Sequence, residues 1–133
     1  MANSLFDPGR EGILDRTIDM TGDIRVMLVK STYVFSAAHK FLADLGAVDN
    51  GRSAALGTHT YTNGVFNAPA TSMVATAAAA CSALVIFVQT GNDATARVIA
   101  FVDTPASGLP FTPAAGQTIN ITWDSGANGI FKL

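Results

Sequence analysis

A single cysteine, Cys81, leaves this chain with no disulfide framework and no thiolate zinc cluster of its own. Charge is scarce as well. Charged residues make up 14% of the sequence, against about 25% in an ordinary soluble domain. A small domain so poor in charge has a surface not given wholly to water, and apolar patches on it meet copies of the chain or a partner. Basic clusters are missing too. Arg10, Arg16, Arg25, Lys30, Lys40, Arg52, Arg97 and Lys132 are scattered, no two adjacent, and the net charge is −2. Without a basic stripe to track phosphates, nucleic-acid binding is not expected. The opening run MANSLFDPGREGILDR has acids and arginines where a signal peptide needs an apolar stretch, so synthesis in the cytoplasm is expected.

Catalytic and cofactor signatures are equally sparse. His39 and His59 stand far apart, with no HExxH or His–carboxylate spacing for a metal. There is no GxSxG elbow, no GxxxxGK[ST] loop and no GxGxxG after a strand. Cys81 lies in AAAACSALV, where a small buried apolar residue is a better reading than a nucleophile. Glu11 is the only glutamate, and Asp93 and Asp124 sit in turn sequences, so a paired-carboxylate site built from these or Asp103 has little support. Asn120-Ile121-Thr122 matches a glycosylation acceptor but falls inside an expected strand. One tryptophan, Trp123, is thin equipment for a sugar-binding module. No enzyme, cofactor or metal site is expected.

What the sequence does have is apolar runs. One of them, the uncharged VATAAAACSALVIFVQTG (Val74–Gly91), is too short in its dense part and too rich in alanine for a membrane helix, which needs about 20 mostly apolar residues. Its second half is β-branched and aromatic, ends at Gly91-Asn92-Asp93, and is followed by a matching run, ARVIAFVDT (Ala96–Thr104). Two such runs about a turn predict a β-hairpin, and their unbroken apolar character predicts burial on both faces. No membrane partner is expected.

The other elements follow from periodicity. DIRVMLVK (Asp23–Lys30) predicts a strand with Ile24, Val26 and Leu28 on one face and Arg25, Met27 and Val29 on the other. TINITWD predicts another, with Ile119, Ile121 and Trp123 aligned toward the core. Asn63-Gly64 predicts a turn, SGANG a second, and IFKL a short last strand. TPASGLPFTPAAGQ reads as a loop. Pro8–Arg16 predicts a short helix capped by Asp7, weakened by Gly9 and Gly12. FSAAHKFLADLG predicts a second helix, with Ser36 as cap, Gly46 as stop and Phe41, Leu42 and Leu45 as its stripe. VDNGR (Val48–Arg52) reads as a turn. Together these predict a mainly β fold, an antiparallel, jelly-roll-like β-sandwich with one or two short helices in the N-terminal third. Its 133 residues make one domain, with 1–7 an extended arm and 8–133 the sandwich.

In order along the chain, DIRVMLV, HKFLADL, NGVFNAP, ALVIFVQTG, ARVIAFVDT and GLPFTPAAGQTINITWDSGANGIFKL resemble a family of small virion proteins of tailed bacteriophages. The last segment is the most specific, with its GLP.TP..G, its W-D-x-G-x-N turn and its terminal IFKL. The opening GREGILDRTIDMTGD departs from the bulkier apolar helix of that family. The resemblance implies a non-enzymatic virion component, foremost a capsid decoration (cement) protein, trimeric, bound to the major capsid protein on the outer surface of the head. A tail, baseplate or fibre-associated protein, with tail proteins as partners, is the alternative. A carbohydrate-binding or adhesin module comes third. The expected assembly contacts are Leu5 and Phe6 of the arm, Val65 and Phe66, and Phe131 and Leu133. Leu5 and Phe6, ordering on a partner, would contribute roughly 3–5 kcal/mol before the cost of fixing the arm.

Overall fold

Alternating side chains in Ile24–Lys30 set the architecture. Ile24, Val26 and Leu28 enter one apolar cluster, while Met27 and Val29 enter another. A strand can do this only where both faces of its sheet are covered. The computed structural model describes residues 4–103, 111–123 and 129–133. Its strands are β1 (Ser4–Leu5), β2 (Ile24–Lys30), β3 (Asp49–Arg52), β4 (Val65–Phe66), β5 (Thr71–Val74), β6 (Cys81–Val88), β7 (Val98–Val102), β8 (Thr118–Ile121) and β9 (Phe131–Lys132), with one α-helix, α1 (Asp7–Leu14). Five strands form an antiparallel sheet in the order β1-β7-β6-β2-β3. Two antiparallel pairs, β5–β8 and β4–β9, supply the facing layer. A bridge between Ser53 and Met73 carries the pairing from the end of β3 to β5, so the chain folds over its own core.

The larger cluster fills the space between these layers. From the sheet come Ile24, Val26, Leu28, Leu84, Ile86 and Val102; from the two pairs come Phe66, Met73, Ile119, Ile121 and Phe131, with Trp123 beside them. Trp123 is in the core, as its alignment with Ile119 and Ile121 predicts, and its indole N–H donates to the Pro69 carbonyl at 3.0 Å. The opposite face of the sheet buries Val85, Phe87, Val98 and Phe101 beneath Phe6, Leu42, Leu45 and Val48, with Tyr33 and Phe35 packed against them. The fold is mainly β, antiparallel and sandwich-like, with its helix near the N-terminus, which is the class read from the sequence.

The central hairpin is present. Leu84 pairs with Val102, Val85 with Phe101 and Ile86 with Ala100; the register then slips, Phe87 pairs with Val98, and Ile99 is left as a bulge. Among the described residues no helix is long and apolar enough to cross a membrane. Asn63 and Gly64 both adopt positive φ, 56° and 76°, the conformation for which Asn-Gly is suited. The hairpin they turn is closed by mutual backbone hydrogen bonds between Thr60 and Asn67.

Helix α1 starts at Asp7 with Phe6 as its cap, one position earlier than expected. The Phe6 N–H is already committed to the Ile99 carbonyl at 3.0 Å, so Phe6 stays extended. Gly9 and Gly12, which weaken the helix by propensity, are its buried residues. A Cβ on Gly9 would lie 2.8 Å from the Ile99 carbonyl oxygen and 2.9 Å from that of Val98. The glycines let the helix backbone rest directly on β7. Arg97 fastens the contact, donating to the Pro8 carbonyl at 2.6 Å and to the Thr17 hydroxyl at 3.1 Å.

Two expected elements take other forms. The second helix is reduced to one 3-10 turn, Leu42–Leu45. Its upstream backbone pairs with the entry to β7 instead: the Val98 N–H donates to the Lys40 carbonyl, and the Leu42 N–H to the Ala96 carbonyl. Backbone groups spent on a neighbouring strand cannot close helical turns. The turn expected at VDNGR is strand β3, with a bulge at Asn50-Gly51, where these two residues oppose the single Leu28 of β2. The SGANG turn and most of the TPASGLP loop lie outside the described residues.

Candidate assembly surface

The six expected contact residues divide into two groups. Leu5 and Phe6 are 6% and 0% exposed. β1 pairs with β7, and the Phe6 ring packs against Phe35 with centroids 5.2 Å apart. These residues therefore complete the protein's own core, and from Ser4 onward the segment is a sheet strand leading into a helix, not an arm. The apolar pair that suggested a partner contact is satisfied internally, because β7 offers both an open edge and an apolar face there.

The other four residues converge. β4 and β9 bring Val65 opposite Lys132 and Phe66 opposite Phe131. The two phenyl rings stack with centroids 4.9 Å apart and planes 14° from parallel. His59 tilts against Phe66 at 5.5 Å and meets Tyr61 edge-on at 5.8 Å. Its ring nitrogens lie 2.7 Å from the Met20 carbonyl oxygen and 3.1 Å from that of Gly57, tying the 57–67 hairpin to the loop after α1. Above the stacked rings opens a hollow of about 250 Å³, walled by Ile13, Met20 and Thr21 on the side of the first segment and by Tyr61, Gly64 and Leu133 on the other. Phe66 and Phe131 are buried, whereas Tyr61 is 46% and Leu133 54% exposed. Beside Ile13 on the helix, Leu14 is 79% exposed. An apolar recess with exposed apolar side chains at its edge can bury surface on contact with another molecule, each fully covered aliphatic or aromatic side chain contributing about 1.5–3 kcal/mol.

A second recess adjoins the first, sharing Ile13 and Met20 and adding Arg16, Ile18 and Asp19. Asp19 accepts from the Thr21 N–H at 2.9 Å and hydroxyl at 2.6 Å, and these bonds hold its carboxyl below the usual range. Arg16 makes no ion pair among the described residues.

The remaining candidates for chemistry occupy structural positions. Cys81 is buried, its thiol pushed up by desolvation, and accepts a hydrogen bond from the Asn50 amide at 3.1 Å. Asp93 holds Arg52 in a bidentate pair at 2.7 and 2.8 Å, which keeps its carboxyl below the ordinary value, and Asp49 takes the same guanidinium at 2.7 Å. His39 is hydrogen-bonded to the Tyr33 hydroxyl at 2.8 Å. Asp124 lies outside the described residues. Among the described residues no three His, Cys, Asp or Glu side chains gather as a metal site would require.

Sequence reasoning missed Ile13 and Met20, apolar residues in a largely polar stretch, as walls of the hollow at the β4–β9 corner. It also missed Asn50. Fully buried, Asn50 accepts from the Ala77 N–H at 2.8 Å and the Thr76 hydroxyl at 3.2 Å while its amide reaches Cys81. It thereby shapes the loop that leads into β6. No family model, curated protein or solved structure matches the chain.

Proposed function

We propose that this chain is a non-enzymatic structural protein of a tailed-phage virion, a decoration (cement) protein held on the outer surface of the head by the major capsid protein and by copies of itself. A trimer is the arrangement its sequence resemblance implies. The observation that carries the reading is the β4–β9 corner: an open apolar hollow, edged by exposed Tyr61 and Leu133, on a chain with only 14% charged residues. A cement protein acts by burying surface across the seams of a shell, and this corner has surface to bury. Many copies on one particle make a modest affinity per contact sufficient. With Leu5 and Phe6 in the core, attachment does not depend on an ordering arm. The test is cryo-electron microscopy of particles containing this chain. Density repeated over the outer capsid is the expected result; density confined to the tail or its tip would transfer the same fold to a tail, baseplate or fibre role.

A further inference from the structure

We propose that Asn63 is a site of spontaneous modification: its side chain condenses with the Gly64 backbone nitrogen, and the product reshapes the β4–β9 corner. The chain holds three Asn-Gly pairs, Asn50-Gly51, Asn63-Gly64 and Asn128-Gly129, and Asn128 lies outside the described residues. Asparagine before glycine is the pairing most open to this reaction, because no side chain shields the amide nitrogen that attacks. The two described pairs have opposite surroundings. Asn50 is fully buried; its carboxamide oxygen accepts from the Ala77 N–H at 2.8 Å and its nitrogen donates to Cys81 Sγ at 3.1 Å. The Gly51 N–H is committed to Asp49 Oδ1 at 2.8 Å, and a Cβ on Gly51 would collide with the Val74 carbonyl. Asn63 and Gly64 are both exposed, and the Asn63 carboxamide makes no hydrogen bond among the described residues. Around Gly64 the space is open: apart from its chain neighbours, only the Leu133 carbonyl oxygen lies within 4 Å of where a Cβ would stand. One backbone bond, from the Gly64 N–H to the Tyr61 carbonyl at 3.2 Å, must open before attack, and an exposed turn opens readily.

Water is the only co-reactant. The Gly64 amide gives up its proton to solvent base, and its nitrogen bonds to Asn63 Cγ. Nδ2 takes up a proton and leaves as ammonia, closing a cyclic succinimide. Water then opens the ring at one of its two carbonyls. Breaking the new N–Cγ bond gives aspartate; breaking the original peptide bond to Gly64 gives isoaspartate, whose main chain runs through Cβ and Cγ. Both products place a negative charge where Asn63 has none. Isoaspartate also adds a backbone carbon to a turn built on positive φ at both its residues, 56° and 76°. Gly64 walls the hollow with Tyr61 and Leu133, and its carbonyl accepts from the Leu133 N–H at 3.0 Å. The lengthened turn therefore loosens the hairpin closed by Thr60 and Asn67, and with it the seam between β4 and β9. None of this needs a partner, so the inference stands apart from the virion reading.

The test is incubation of the purified full chain at mildly alkaline pH, sampled over time, with peptide mapping by mass spectrometry to locate the product and fragmentation to tell isoaspartate from aspartate. The expected result is product at Asn63 forming about a hundredfold or more faster than at Asn50, which reacts only through a larger opening of the fold. In urea the two sites should react at similar rates, because both then meet water. Amide exchange on the converted chain should quicken at Thr60 and Asn67 and stay unchanged at Val85 in the central strand. Asn63→Gly keeps a residue suited to positive φ, and that variant, incubated alongside, should show no such quickening. Equal rates at Asn50 and Asn63 in the folded chain, or an Asn63 that reacts in urea but not when folded, would overturn the assignment. Unchanged exchange at Thr60 and Asn67 after full conversion would overturn the reshaping of the corner.

Discussion

Phe6→Ala separates a core residue from a partner-facing one. The Phe6 ring is fully buried, packs on Phe35 and belongs to the cluster with Val98 and Phe101 under the five-stranded sheet. The substitution keeps the backbone N–H bond to Ile99 and deletes only the ring, leaving a cavity in a packed layer. Buried Phe→Ala changes cost about 3–5 kcal/mol, which is a large share of the roughly 5–15 kcal/mol that holds a domain together. At about 3–5 °C per kcal/mol for a chain of this length, the melting temperature should fall by roughly 10–20 °C. Thermal and urea denaturation followed by far-UV circular dichroism read both quantities. Leu14→Asp in the same assay, kept dilute, should move the midpoint little, because that side chain meets water. A Phe6→Ala variant within about 1 kcal/mol of the parent would refute the burial of this segment and return it to the role of a free arm.

Ile86→Asp should abolish folding, since an unpaired carboxylate would lie at the centre of the hairpin with no polar neighbour to receive it; loss of cooperative unfolding and of protected amides is the readout. Asn50→Ala leaves the Ala77 N–H without its acceptor and should cost about 1–3 kcal/mol, with hydrogen exchange rising first across residues 76–81. Asp44 has its carboxyl held low by the N–H groups of Phe41 and Lys40. A carboxyl depressed in the folded state contributes stability above its unfolded value and loses it as pH falls through the folded one. Denaturant midpoints should therefore decline below the ordinary carboxylate value of about 3.9, and Asp44→Asn should lower the midpoint near neutrality and flatten that acid limb.

The sheet was legible where one local pattern admits one structure. The apolar runs of Ala83–Val88 and Val98–Val102 around Gly91-Asn92-Asp93 can be buried on both faces only as a central hairpin. The row of Ile119, Ile121 and Trp123 points one way in any strand. Elsewhere a local signal had two outcomes. Phe41, Leu42 and Leu45 are spaced for a helix, but the start of β7 claims the backbone at Lys40 and Leu42. Asn50-Gly51 favours a turn and a bulge alike. Leu5 and Phe6 say that something apolar must cover them, and only the distant edge of β7 decides what. The β4–β9 corner was half legible. Val65, Phe66, Phe131 and Leu133 stood out, while Ile13 and Met20 reach that corner only through the fold.

The pairing of β4 with β9 has a consequence for how the protein is made. Val65 and Phe66 leave the ribosome long before Phe131 and Lys132, and until then the floor of the hollow is missing one of its two stacked rings. β1 waits in the same way for β7. Closing such distant pairs is slow compared with local turns. A nascent or truncated chain that stops short of β9 therefore cannot present the finished corner, and the apolar floor of the hollow is assembled only once synthesis has passed the last strand.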